Sequence, residues 1–217
     1  YLGITATPFA NIFIDHAAEN EELGQDLFPA DYIRVMSSPS NYQGIGRYFA
    51  GDHPAIRKNV DDCIDLLPIN HKKNHHIDEL PVSLEEAIMA FYLGTAVRLF
   101  RSQGSVKPAS MLVNVSRFND VQAKVSELID LFAMSLNGLI HAELARDPEK
   151  PASAFGARLH EVWTSEYGDA MDDERWEDVA PWLKEVADTV RVELVNSVTA
   201  RERVNRRRSL TRDQRAD

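Results

Sequence analysis

The chain has 217 residues, enough for one large domain or two small ones that bury roughly 70% of the surface an unfolded chain exposes. Its 44% apolar and 27% charged residues exclude a collagen-like, low-complexity or wholly disordered chain, and its single cysteine, Cys63, excludes an internal disulfide framework and favours a reducing cytoplasm. The net charge of −10 is unevenly spread: residues 201–217 hold seven arginines against Glu202, Asp213 and Asp217, a net of +4, which leaves −14 on residues 1–200. Apolar runs such as 111–115 fall far short of the roughly 20 residues a membrane-spanning helix needs, and these 217 residues contain no basic n-region followed by an apolar h-region. Because Tyr1 already lies in a strand-like run, we expect a piece of a longer protein.

Taken in order, Tyr1-Leu-Gly-Ile-Thr5 reads as a buried strand whose end carries Thr5 and Thr7 before Pro8 stops ladder pairing. Residues 31–36 resemble a second strand, and the turn formers of 37–44 a surface loop. Residues 50–80 show little periodicity. After Pro81, Ser83 and Glu86 have the spacing of a capping box, and Leu84, Ile88, Phe91, Thr95 and Leu99 share one face, which predicts a helix over 83–103. Residues 110–115 form a continuous β-favouring run. Asn119 or Asp120 can cap a following helix that runs through Val121, Val125, Leu128, Phe132, Leu136 and Leu139 toward Arg146. A third helix carries Phe155, Leu159, Val162 and Trp163, and Pro181 suits the first turn of a fourth with Leu183, Val186 and Ala187 inward. Residues 189–195 alternate as a last strand. This order predicts an α/β fold with parallel strands and ligands at their carboxyl ends.

Thr5-Ala-Thr-Pro8 resembles the third motif of superfamily-two helicases, in which strand-tip hydroxyls relay nucleotide state to the nucleic-acid groove. Together with Asp26-Leu-Phe-Pro29, Pro39-Ser-Asn-Tyr42, Leu80-Pro-Val-Ser-Leu-Glu-Glu-Ala-Ile88 and Ser110-Met-Leu-Val-Asn-Val-Ser-Arg-Phe-Asn-Asp-Val-Gln122, it is similar to the Z-one domain, a family found in inferred endonucleases of bacterial restriction or defence operons. The resemblance spans residues 1 to about 122 and continues more loosely to Asn196-Ser197. It implies partial RecA-like parallel sheet elements with a largely helical remainder and an inserted irregular segment. Residues 1–16 would end a first RecA-like half, 17–105 would be the insert, 106–200 would begin a second half, and 201–217 a basic tail. It further implies that Thr5, Thr7, Ser116, Arg117 and Gln122 couple nucleotide and nucleic acid. The parent protein would use ATP and magnesium on DNA, with protein partners from its operon.

The sequence departs from a complete motor. No G-x-x-x-x-G-K-[ST] phosphate loop occurs, Asp78-Glu79 precedes a proline rather than ending an acidic strand, and the arginine-bearing last motif is missing. This fragment therefore holds no cofactor of its own and is expected to be inactive alone. The arginines of the tail, Arg206, Arg207 and Arg208 among them, can serve as a phosphate-binding arm or as a solvated helical extension. His71, His75 and His76 invite a metal, but without H-E-x-x-H or a helical pattern they read better as a polar surface connection. Trp163, Trp176 and Trp182 fall on apolar helix faces and read as core. The alternative function is a non-catalytic module that uses its acidic surface to hold a protein partner.

Overall fold

The computed structural model describes residues 19–20, 24–25, 34–37, 39–42, 44–49, 57–105, 108–144, 153–168, 174–196 and 199. The chain divides into two compact units, Tyr1–Arg57 and Lys58–Asp217. In the first, β1 (Glu19–Asn20) and β2 (Gly24–Gln25) pair antiparallel with Glu19 opposite Gln25, and α1 spans Ile45–Phe49. The strand expected over 1–5 lies outside the described residues. Residues 34–37, from the strand expected over 31–36, belong to no sheet.

The second unit is helical. It comprises α2 (Cys63–Leu66), α3 (Val82–Arg101), α4 (Asn119–Leu139) continued by a π turn at Ile140–Leu144, α5 (Ala154–Tyr167), α6 (Trp176–Val179), a 3-10 turn at Ala180–Trp182, and α7 (Leu183–Thr189). The expected α/β architecture with a RecA-like parallel sheet is overturned: the only ladder among the described residues is the two-residue hairpin β1–β2. The β-favouring runs 110–115 and 190–195 are present as non-helical segments, but neither is paired, and helices supply the apolar surface beside them. No described helix is long and apolar enough to cross a membrane.

α3 organises the core. It packs against α5, α6, the 3-10 turn and α7, while α4 packs against α7 and the π turn. Met89, Leu93 and Ala96 are fully enclosed, and Leu136, Leu159, Leu183 and Val186 join them in one cluster with Trp163 and Trp176, as the apolar spacing requires. The half-buried ion pair Arg158–Glu85, at 2.5 Å, ties α5 to α3.

The helix starts differ from expectation in an instructive way. Ser83 does not cap α3 from within; its amide and hydroxyl donate to the Asp62 carboxylate at 2.8 and 2.6 Å, and these two bonds hold the Asp62 carboxyl below its usual range. Phe118, not Asn119 or Asp120, occupies the cap position of α4. At α5 a serine does cap the helix, with Ser153 Oγ accepting from the Gly156 amide at 3.0 Å.

Inside α3, the Tyr92 hydroxyl donates to Asn137 Oδ1 of α4 at 3.0 Å. Burial pushes this phenol up to about 12, partly opposed by the Asn137 bond, with the Asp130 charge adding to the rise. An unfolded tyrosine ionises near 10, so between pH 10 and about 12 the unfolded chain loses a proton that the folded chain retains. Stability is expected to fall with rising pH across that window, and Tyr92→Phe to flatten the fall. Urea midpoints at pH 9, 10.5 and 11.5 measure both slopes, and equal slopes in the two chains would refute the assignment.

Candidate functional site

The residues singled out at 116–122 converge at the start of α4, and a histidine from far upstream meets them. Pro68 opens a turn in which the His71 amide donates to the Pro68 carbonyl at 2.9 Å. His71 Nδ1 lies 2.8 Å from the same carbonyl, and Nε2 lies 2.7 Å from Ser116 Oγ. A carbonyl only accepts, so Nδ1 carries the proton; the neutral ring then presents a bare Nε2, which accepts from the Ser116 hydroxyl. Ser116 Oγ in turn accepts from the Phe118 amide at 3.0 Å, satisfying a donor at the helix entrance.

Gln122, one turn into α4, donates from Nε2 to the Ser116 carbonyl at 2.6 Å, while its Oε1 is buried without a hydrogen-bond partner. The His71 ring meets Phe118 edge to face at 5.6 Å, and His75 Nε2 donates to the Leu66 carbonyl at 2.7 Å. Ser116 is 8% exposed. Its hydroxyl is thus enclosed and engaged on both sides, which suits it to holding the loop in place rather than to attacking a substrate.

What the clasp presents is Arg117. The guanidinium is exposed and sits 4.9 Å from the centre of the Phe118 ring, a cation–π contact that orients it without neutralising it. No carboxylate lies within ion-pair distance of Arg117 among the described residues. A planar, oriented and uncompensated guanidinium is suited to a phosphate oxygen.

Thr5, Thr7, Arg206, Arg207 and Arg208 lie outside the described residues. Arg117 itself follows a non-helical segment rather than a paired strand. The histidines do not gather around a metal position. His71 and His75 each spend a ring nitrogen on a backbone carbonyl, His76 pairs with Asp78 at 2.8 Å on the surface, and no group of three such ligands forms among the described residues. Sequence reasoning missed the role of His71, and its 45-residue separation from Ser116 leaves no local signal that would reveal it.

Beside this cluster runs a groove of 1040 Å³ between α3, α4 and the segments 109–115 and 189–195, with Gln122 among its lining residues. Residues 116–122 do not by themselves form a phosphate cradle, since they offer one cation, Arg117, and no glycine-rich backbone.

No curated protein and no solved structure matches the chain. The Z1 domain profile matches residues 83–212, which is more than half of the chain and lies later than the stretch that carries most of the resemblance. Because that match runs from α3 through residues 116–122 and α4 into the basic tail, the chain belongs to the Z1 domain family.

Proposed function

We infer that this chain is the part of an ATP-driven DNA-processing enzyme of the cytoplasm that grips the nucleic-acid backbone, with Arg117 as its phosphate contact. The observation that carries this reading is the exposed, unneutralised Arg117 guanidinium, held in place by Phe118 and by a buried His71–Ser116–Gln122 clasp. Membership of the Z1 domain family supports the setting. Thr5 and Thr7 would report nucleotide state, the tail arginines 206–208 would add phosphate contacts, and the parent would supply the ATP and magnesium site and any DNA cleavage.

Two measurements test this. The isolated chain is expected to show no ATP turnover with or without DNA, since it has no phosphate loop; turnover that survives repurification and disappears on Thr7→Ala would overturn the reading. In the parent protein, Arg117→Ala is expected to weaken duplex DNA binding by about tenfold and to shallow the log–log salt slope by about 0.9, the increment of one phosphate contact. An unchanged slope would remove Arg117 from the interface.

A further inference from the structure

The hydrogen bond from Ser116 to His71 joins two stretches 45 residues apart, and each brings its own charges to the start of α4. The upstream stretch is braced as a turn, with the His71 amide donating to the Pro68 carbonyl at 2.9 Å and the His75 amide to the Lys72 carbonyl at 3.0 Å. Two side chains of this turn reach across. His71 meets Ser116, and Lys73 meets Asp120 in the first turn of α4, with 3.5 Å between Nζ and Oδ2. Residues 71–75 and 116–120 together hold Lys72, Lys73 and Arg117 against Asp120 alone, a net of +2 on a chain whose first 200 residues carry −14. Of the carboxylates next along the sequence, Asp78 is engaged by His76 at 2.8 Å and Glu127 by Lys124 at 3.3 Å. Asp65 and Glu79 are exposed and lie within ion-pair distance of neither Lys73 nor Arg117.

The Lys73–Asp120 pair is easily exchanged. Its 3.5 Å separation exceeds the span of a charge-assisted hydrogen bond, about 2.7–2.9 Å, and its side chains are 72% and 63% exposed. Such a pair contributes little and is screened by salt. A phosphate oxygen competes for the same amine, and its neutralisation releases counterions condensed on the nucleic acid, a gain that Asp120 does not supply. Positions 117 and 120 are at most about 11 Å apart along the chain. A backbone held by Arg117 therefore comes within reach of Lys73 after no more than about three steps of roughly 3.4 Å.

We propose that Lys73 is a second contact to the nucleic-acid backbone, held by Asp120 in the free chain and transferred to a phosphate near the one that Arg117 takes. The assignment rests on the DNA-gripping reading of Arg117, and it makes Asp120 a competitor that weakens binding.

The test measures binding of a fluorescein-labelled duplex of about 20 base pairs to the parent protein between about 50 and 200 mM salt. Lys73→Ala is expected to weaken binding about threefold and to shallow the log–log salt slope by about 0.9, one phosphate contact. Asp120→Asn is expected to bind about threefold more tightly, and in that background Lys73→Ala should cost about tenfold, because no carboxylate competes for the amine. Lys72→Ala, one position away and not bonded to α4, is expected to shallow the slope by less than half as much as Lys73→Ala. If Lys73→Ala costs nothing in the Asp120→Asn background, Lys73 only neutralises Asp120 and the proposal is overturned. Equal slope changes from Lys72→Ala and Lys73→Ala would overturn it too, since they are the mark of long-range attraction. Arg117→Ala separates the two readings: if it shallows the slope and Lys73→Ala does not, the second contact alone fails, and if neither does, the DNA-gripping role fails with it.

Discussion

The Leu93→Ala chain is expected to unfold about 2–5 kcal/mol more easily than the parent sequence, with a melting temperature lower by roughly 10 °C. Leu93 is 0% exposed and lies in the middle of α3, the helix that packs against α5, α6, the 3-10 turn and α7. Removing its side chain deletes transfer energy and leaves a void bordered by helices that cannot all shift inward together. Met89, one turn earlier and equally enclosed, is the neighbour most able to lean into that space, since its unbranched side chain adapts to irregular gaps. Thermal and urea unfolding followed by circular dichroism give the difference directly. A loss below about 1 kcal/mol would show that the core is not centred on α3.

A second substitution on the same helix should change sign with its background. Gly94 faces Tyr167 of α5, whose hydroxyl donates to the Ala90 carbonyl at 2.8 Å. A Cβ at position 94 would stand 2.6 Å from that hydroxyl but 3.5 Å from the ring carbon bearing it. In the native background, Gly94→Ala therefore forces the tyrosine away from its bond. The overpacking cost of about 1–3 kcal/mol outweighs the gain of about 1 kcal/mol from replacing a helical glycine. In Tyr167→Phe the obstructing oxygen is gone and the remaining contact is ordinary, so the same alanine is expected to stabilise by about 1 kcal/mol. The four chains of this cycle, measured by urea unfolding, should show a coupling of about 1–3 kcal/mol. Additive effects would mean that the two side chains do not meet.

The helices were legible because their information is local. Apolar positions spaced three and four apart from Leu84 to Leu99 predict a helix over 83–103, and α3 spans Val82–Arg101. Ser153 capped α5 for the same reason, its acceptor and its donor lying three residues apart. The strands failed where locality ends. Residues 190–195 do alternate in burial, as their sequence says, but a ladder needs a neighbouring chain, and no pattern within six residues states whether one is present.

The candidate site divides along the same line. Ser116, Arg117 and Gln122 lie within seven residues and converge through a helix turn. His71 and Asp62, however, reach their partners across 45 and 21 residues, and their hydrogen bonds arise only from how the unit packs. The capping box at Ser83 was a local signal outcompeted in this way: a carboxylate brought in by packing accepts both the amide and the hydroxyl that the helix's own residues would otherwise have served.

The position of α3 as the hub of the core also has a cost in time. Its enclosed residues, Met89, Leu93 and Ala96, are covered by helices that end with α7, whose Leu183 lies 90 residues beyond Leu93. At 5–20 residues per second, a ribosome takes roughly 5–18 s to make that interval, and throughout it the apolar face of α3 is outside the exit tunnel or approaching it without its final cover. A helix with such a face binds whatever apolar surface it meets first. Synthesis of this chain thus exposes a transient docking surface, one that a nascent-chain holdase can occupy and that disappears only when α7 arrives.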